Sequence, residues 1–282
     1  MRDLLKSMRR LIRADIHALF KDKTYLVVCG FSFILGIFLP LMGYINKLRF
    51  SEIKTFEDGF FIYVSVFSFL VPGFIAFFVG KSFDWGTIKN KICVGHKRLG
   101  IYLSFLITCV IGTMVLILSY YVPYTILGLF LLEAMDIPLK GFILISISAI
   151  FVLISITSIS LSLTVNLSSR VLSIAISIVV VVALLMIGSI AVQMLMEPEM
   201  ITNSMIMIDG EFVFSDPYPN PRYVKESERW IWEGIRDAVL GGQIHQITAL
   251  ECNWVRVTLY SLLTSIVFSF VGYIIFNRKD LK

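Results

Sequence analysis

Six apolar windows dominate the pattern of hydrophobic and polar positions along the chain. They run from Thr24 to Asn46, Gly59 to Gly80, Leu99 to Leu132, Gly141 to Ser169, Val171 to Met196 and Val257 to Asn277, without a charged residue in any of them. Each exceeds the roughly 20 residues that carry an α-helix across about 30 Å of hydrocarbon. The alternating segments of about 10 residues that build a membrane barrel are absent. The pattern predicts an all-α polytopic membrane protein with six transmembrane helices. The third window is longer than one span needs and is expected to break near Pro123, where the ring removes a backbone donor. The link Asn166–Leu167–Ser168–Ser169–Arg170 makes the fourth and fifth spans a tight hairpin.

Two regions outside the windows carry periods of their own. In residues 1–23, Met1, Leu4, Leu5, Met8, Leu11, Ile12, Ile16 and Leu19 recur at helical spacing, opposite Arg2, Lys6, Arg9, Arg10 and Arg13. This predicts an N-terminal amphipathic helix lying in the membrane interface. The stretch is too charged for a cleaved signal peptide. Residues 197–253 read as a small mixed α/β insert between spans five and six. Met205–Ile208 and Glu211–Phe214 flank Asp209 and Gly210, the turn pair of a tight hairpin. A rigid turn-rich stretch, 216–221, follows. Tyr223 to Leu240 then reads as an amphipathic helix carrying Trp230, Ile231, Ile235 and Val239, stopped by Gly241–Gly242. A second short helix, Ile244 to Cys252, leads into the last segment, 254–282, which holds the sixth span and its tail.

Composition narrows the class. The 282 residues are 57% hydrophobic and only 16% charged, where a soluble domain carries about 25% charged residues. A soluble enzyme is excluded. Sixteen of the 25 Lys and Arg residues lie before span one, between 81 and 98, at Arg170 or after span six. Basic loops stay cytoplasmic, so these stretches and both termini are expected inside. The insert, with ten acids against four basic residues, is expected outside. The net charge of +5 is therefore a topology signal and no basis for nucleic-acid binding.

Chemistry-bearing residues are scarce. Asp, Glu, His, Lys and Arg are missing from all six windows, which disfavours proton pumps, ion-coupled carriers and intramembrane catalysis. Four cysteines and three histidines show no metal-ligand spacing, and Cys252 has no outer partner for a disulfide. Gly80–Lys81–Ser82 lacks the earlier glycine and the strand of a phosphate loop. No catalytic, cofactor-binding or metal residue is expected on this chain. Ser148, Ser155 and Ser162 share one face of a fourth span rich in Ser and Thr. Close helix packing is the favoured reading of that face, ahead of a polar substrate path.

The most informative loop reads Lys81–Ser82–Phe83–Asp84–Trp85–Gly86–Thr87–Ile88–Lys89–Asn90–Lys91–Ile92–Cys93–Val94–Gly95–His96–Lys97–Arg98. Asp84 is expected to cap a short basic helix that ends at Gly95. Phe83, Trp85, Ile88 and Ile92 are then expected to pack outward against another protein. With six spans, an amphipathic first helix and the ending Phe276–Asn277–Arg278–Lys279–Asp280–Leu281, this loop resembles the permease subunit of type-2 ABC exporters. The likeness covers the whole chain in layout and is sharpest over residues 83–98.

The resemblance implies that loop 81–100 is the coupling loop, docking in a groove of a separate ATPase. Asp84, Gly86, Thr87, Lys89 and Arg98 match the family's acidic-x-Gly-Thr-x-Lys…Arg pattern, although many members carry Glu where Asp84 stands. It further implies two permease copies with two ATPase copies in a bacterial plasma membrane. ATP and Mg would belong to the ATPase and no cofactor to this chain, with membrane lipid around it. The acidic insert suits export of amphipathic or antimicrobial peptides, such as the phenol-soluble modulins. A lipid, drug or ion as cargo, or a non-transporting peptide immunity or sensor protein, are the alternatives. The family usually has only short re-entrant helices between spans five and six, so residues 197–253 exceed its pattern. A cap over the exit path and a domain that merely packs on the membrane both remain open.

Overall fold

The computed structural model describes every residue except 1, 52–53, 168, 202–204, 209–210, 215–216 and 280–282. Helix α1 (Arg2–Lys21) precedes α2 (Lys23–Phe50), α3 (Phe56–Phe60), α4 (Ile62–Asp84), α5 (Thr87–Cys93), α6 (Arg98–Leu131), α7 (Leu139–Leu167) and α8 (Arg170–Met196). Four short strands follow: β1 (Met200–Ile201), β2 (Met205–Ile208), β3 (Glu211–Phe214) and β4 (Tyr218–Pro219). Helices α9 (Glu226–Ala238), α10 (Leu240–Thr248) and α11 (Trp254–Arg278) complete the chain. Among the described residues, six helices are long and apolar enough to cross a membrane: α2, α3 with α4, α6, α7, α8 and α11. This is the architecture of a multi-pass membrane protein.

The spans are not equivalent. Apolar windows of α3–α4, α6 and α7 are 61%, 56% and 56% buried, against 17%, 22% and 17% for α2, α8 and α11. The first three form the centre, and the others present broad apolar faces outward, as lipid-facing helices do. Helix α7 lies against α11 and α4, while α2 runs along α6. The serine face of α7 is packing surface. Ser155, Thr157, Ser158 and Thr164 donate to carbonyls three or four residues back in their own helix. At Ser162, α11 comes so near that a Cβ on Gly272 would lie 2.6 Å from the Ser162 and Tyr102 hydroxyl oxygens.

Pro123 does not break the third span. Helix α6 runs unbroken from Arg98 to Leu131 with the proline inside it. Gly36 of α2 packs there, and a Cβ on it would stand 2.8 Å from the proline ring. In membrane spans neighbouring helices support a proline that would end an isolated helix.

One end of the bundle holds α1, α5, the α7–α8 link and the end of α11. The other end holds α3, the 132–138 link and the segment after α8. There Lys47 pairs with Glu133, and the buried Glu57 carboxylate accepts from the backbone of Asp136 (2.7 Å) and Ile137 (3.1 Å). A cluster of Phe56, Phe60, Tyr63, Tyr120, Tyr124 and Phe142 fills the space beneath.

Between spans five and six, β1 pairs antiparallel with β4, and β2 with β3. Ile208 is paired with Glu211, so two residues join β2 to β3. That expected turn, Asp209–Gly210, lies outside the described residues. The glycine pair plays another part than the expected stop. Helix α9 already ends at Val239, which adopts extended backbone, and Gly241 and Gly242 stand in the first turn of α10. There they bring α10 against the backbone of α8. A Cβ on Gly188 would collide with Gly241 and Gly242, and one on Gly241 with Leu184 and Leu185. The second helix therefore starts at Leu240, four residues before the expected Ile244, and ends at Thr248. Arg229 of α9 meets the Leu195 carbonyl at 3.3 Å, while Gly241 sits beside Leu185. Ten residues of α8 separate these levels, so the α9–α10 hairpin dips about 15 Å back along the helix.

Candidate functional site

Helix α4 delivers Lys81, Ser82, Phe83 and Asp84 to the end of the bundle and stops at Trp85. Gly86 and Gly95 then adopt left-handed backbone, with φ of +66° and +93°. A side chain there costs about 1–2 kcal/mol. The two glycines turn the chain into and out of the seven-residue α5, whose N-cap is Gly86. Gly95 thus follows the helix as expected, but Asp84 does not cap it. Asp84 is the last residue of α4, and its carboxylate lies 3.4 Å from Arg170 at the start of α8. Chain direction explains the change, because α4 continues through the position at which a cap would have to leave the helix.

The apolar residues divide. Ile88 is buried at 1% exposure, and Phe83 and Ile92 pack on the same core, so these three do not face outward. Trp85 is 70% exposed and Val94 78%, with Lys89, Asn90 and Cys93 exposed between them. This is the outward surface of the loop. Lys81 stands 4.5 Å over the Trp85 ring and steadies the indole. Thr87 occupies the first turn of α5. Arg98 points elsewhere: it donates to the carbonyls of Phe276 (3.1 Å), Asn277 (2.8 Å) and Lys279 (2.6 Å), closing the C-terminus of α11. A cation at that helix end satisfies free carbonyls and opposes the helix dipole.

Acids that the loop's own sequence does not announce hold it from within. Asp15 of α1, 6% exposed, lies 2.6 Å from Lys91 of α5 and accepts from the Ser104 hydroxyl of α6 at 2.6 Å. The Lys91 ammonium rests 4.5 Å over the Phe105 ring. Asp22, which caps α2 through the amides of Thr24 and Tyr25, also binds Lys81 at 2.9 Å. Burial alone would raise the Asp22 carboxyl. The Lys81 bond and these amides outweigh it and hold the group below its ordinary value. Lys279 bonds the Asn166 carbonyl, and burial lowers its ammonium from the usual range. Asp15 was traceable in the sequence as the one acid on the apolar face of the first helix. Nothing in the loop itself marks Arg170 or Lys279.

Among the described residues no group of three His, Cys, Asp or Glu side chains is placed to hold a metal. The loop is a short helix anchored inward by an ion pair, with an exposed aromatic side chain before it and an exposed aliphatic one after it. No protein-family model matches the chain, and no curated protein matches it either.

Proposed function

We propose that this chain is the membrane subunit of an ATP-driven exporter of the type-2 ABC kind, with α5 as the helix that docks on a separate ATPase. The observation that carries the reading is the build of loop 81–98. Two left-handed glycines isolate α5, buried bonds tie it to α1 and α6, and Trp85 and Val94 stand out as the apolar contacts a partner groove would take. Pulling on α5 would draw on α1 and α6 together. The resemblance leads one to expect short re-entrant helices between spans five and six; α9–α10 turn back along α8 there, while the strands β1–β4 exceed that pattern. On this reading both termini are cytoplasmic in a bacterial plasma membrane. Two copies work with two ATPase copies that carry ATP and Mg, and the cargo is an amphipathic peptide passing beneath the acidic insert.

The test is co-purification with the ATPase together with cargo-stimulated ATP hydrolysis. Buried aromatic anchors dominate such contacts, with truncation costing about 2 kcal/mol or more, roughly 30-fold in affinity. Trp85→Ala is expected to lose the ATPase on washing while its thermal unfolding and membrane insertion stay as in wild type. Full retention and full hydrolysis in Trp85→Ala would sink the coupling role. A chain that brings down no ATPase under any condition would favour the sensor reading.

A further inference from the structure

Helix α1 divides its charges by sign. Of its described side chains, the exposed charged ones are Arg9, Arg10, Arg13 and Lys21, all cationic. Asp15 is turned the other way, on the line of Leu11 and Leu19 that packs against the bundle. With its apolar line taken up by the bundle, α1 turns outward a cationic face that an anionic lipid surface complements in charge. The buried acid has a different consequence. Its two oxygens are each bonded at 2.6 Å, one to Lys91 of α5 and one to Ser104 of α6. Lys91, with 15% of its side chain exposed, is closed in by the Phe105 ring. Helix α5 therefore cannot shift far without either carrying α1 along or leaving a buried acid and a buried ammonium unpaired, which is strongly unfavourable.

We infer that α1 reads the anionic lipid content of the leaflet it lies on, and that Asp15 passes that state to α5 through Lys91. Anionic headgroups draw the basic face down and order α1. The Asp15 bonds then order α5, while a neutral surface leaves both freer to open. The importance of this for transport rests on the reading of α5 as the docking helix, but the link itself does not.

The experiment follows backbone amide exchange in the full chain, in vesicles of phosphatidylcholine alone or mixed with phosphatidylglycerol. Phosphatidylglycerol is expected to slow exchange roughly tenfold in α1 and in residues 87–93, as a shift in local opening. In Asp15→Asn the slowing persists in α1 and disappears from 87–93. If that variant inserts poorly, Lys91→Gln breaks the same link from the other side. Exchanging the charges, with Asp15→Lys and Lys91→Asp together, restores the response. Replacing Arg9, Arg10 and Arg13 by Gln abolishes it in both helices. Exchange in 87–93 that ignores phosphatidylglycerol in the wild type, or slows equally in Asp15→Asn, overturns the inference. So does slowing by polyglutamate on neutral vesicles that phosphatidylglycerol fails to reproduce, which would assign the basic face to an acidic protein. No arm contains an ATPase, so this result is independent of the co-purification test, and failure of either leaves the other reading standing.

Discussion

The seven-residue α5 and the nine-residue α10 both lie between consecutive spans, and they are held by different forces. The Asp15–Lys91 pair anchors α5 itself, and Asp22 with Lys81 and Asp84 with Arg170 hold the end of α4 that leads into it. Backbone contact anchors α10, where Gly241 and Gly242 lie against Leu184, Leu185 and Gly188 of α8. The partly exposed pairs, Lys81 with Asp22 and Arg170 with Asp84, can lengthen and take in water, whereas the buried Asp15–Lys91 pair makes α5 shift together with α1. Interlocked backbones have no such latitude, because a shift along the crossing turns contact into overlap. The approach to α5 is held by side-chain charge, and α10 by backbone contact. The residues flanking α5, Trp85 and Val94, are exposed, whereas α10 buries Leu240, Ile244 and Ile247 within the bundle.

The largest expected effect comes from breaking the fixed part. In Gly188→Leu a branched side chain would have to occupy space held by the Gly241 and Gly242 backbone. Overpacking of that kind costs about 3 kcal/mol or more where neither side can retreat. The variant should be largely lost from the monodisperse peak in detergent chromatography, with a lower midpoint in thermal unfolding. The control is Gly73→Leu, at a glycine of α4 where a Cβ would meet no neighbouring atom within 4 Å, which should behave as wild type. Equal behaviour of the two variants would mean that the glycine crossing does not hold α10.

A smaller effect comes from straining the entry to α5. Gly86 has φ of +66°, and no atom stands within 4 Å of where its Cβ would be. Gly86→Ala therefore meets only backbone strain, about 1–2 kcal/mol. That strain falls on the entry to α5, so amide exchange in 87–93 should accelerate while α10 stays protected. Acceleration in both helices would show one cooperative unit and remove the distinction between them.

The six spans were legible because long apolar runs need no tertiary knowledge: each window is its own evidence for a buried or lipid-covered helix. The helix over 2–21 and the pairing of 205–208 with 211–214 follow the period of their sequences. Gly241–Gly242 shows where local reading fails. A glycine pair after an amphipathic run is the ordinary mark of a helix end, and equally the mark of close backbone approach. The residue that decides is Gly188, more than fifty positions away. Asp84 fails likewise, since its choice between capping α5 and pairing with Arg170 depends on where α8 begins. Of the loop, Gly95 at the end of the helix and the exposed Trp85 could be read from sequence, whereas Asp15 and Asp22 came from the distant N-terminal segment.

The joint after α10 offers the finest test of the comparison. Cys252 sits between α10 and α11, half-buried, and burial pushes its thiol up to about 11 from an ordinary 9.0. The nearby Ser148 hydroxyl opposes that shift and the Asp237 carboxylate adds to it. A raised thiol value means that the fold favours the neutral form, so the reactive thiolate is scarce at neutral pH. Two pH units correspond to about a hundredfold less thiolate than in an unshifted thiol. In a variant lacking Cys29, Cys93 and Cys109, maleimide should label Cys252 slowly at pH 7, and the rate should climb about tenfold per pH unit to near pH 10. In sealed vesicles an impermeant maleimide should reach Cys252 and a restored Cys93, exposed on α5, from opposite sides. Labelling of both from one side would refute the topology. A fast reaction of Cys252 at pH 7 in the wild type would instead show that the joint beside α10 is open, and that the rigid half of the molecule ends at Thr248.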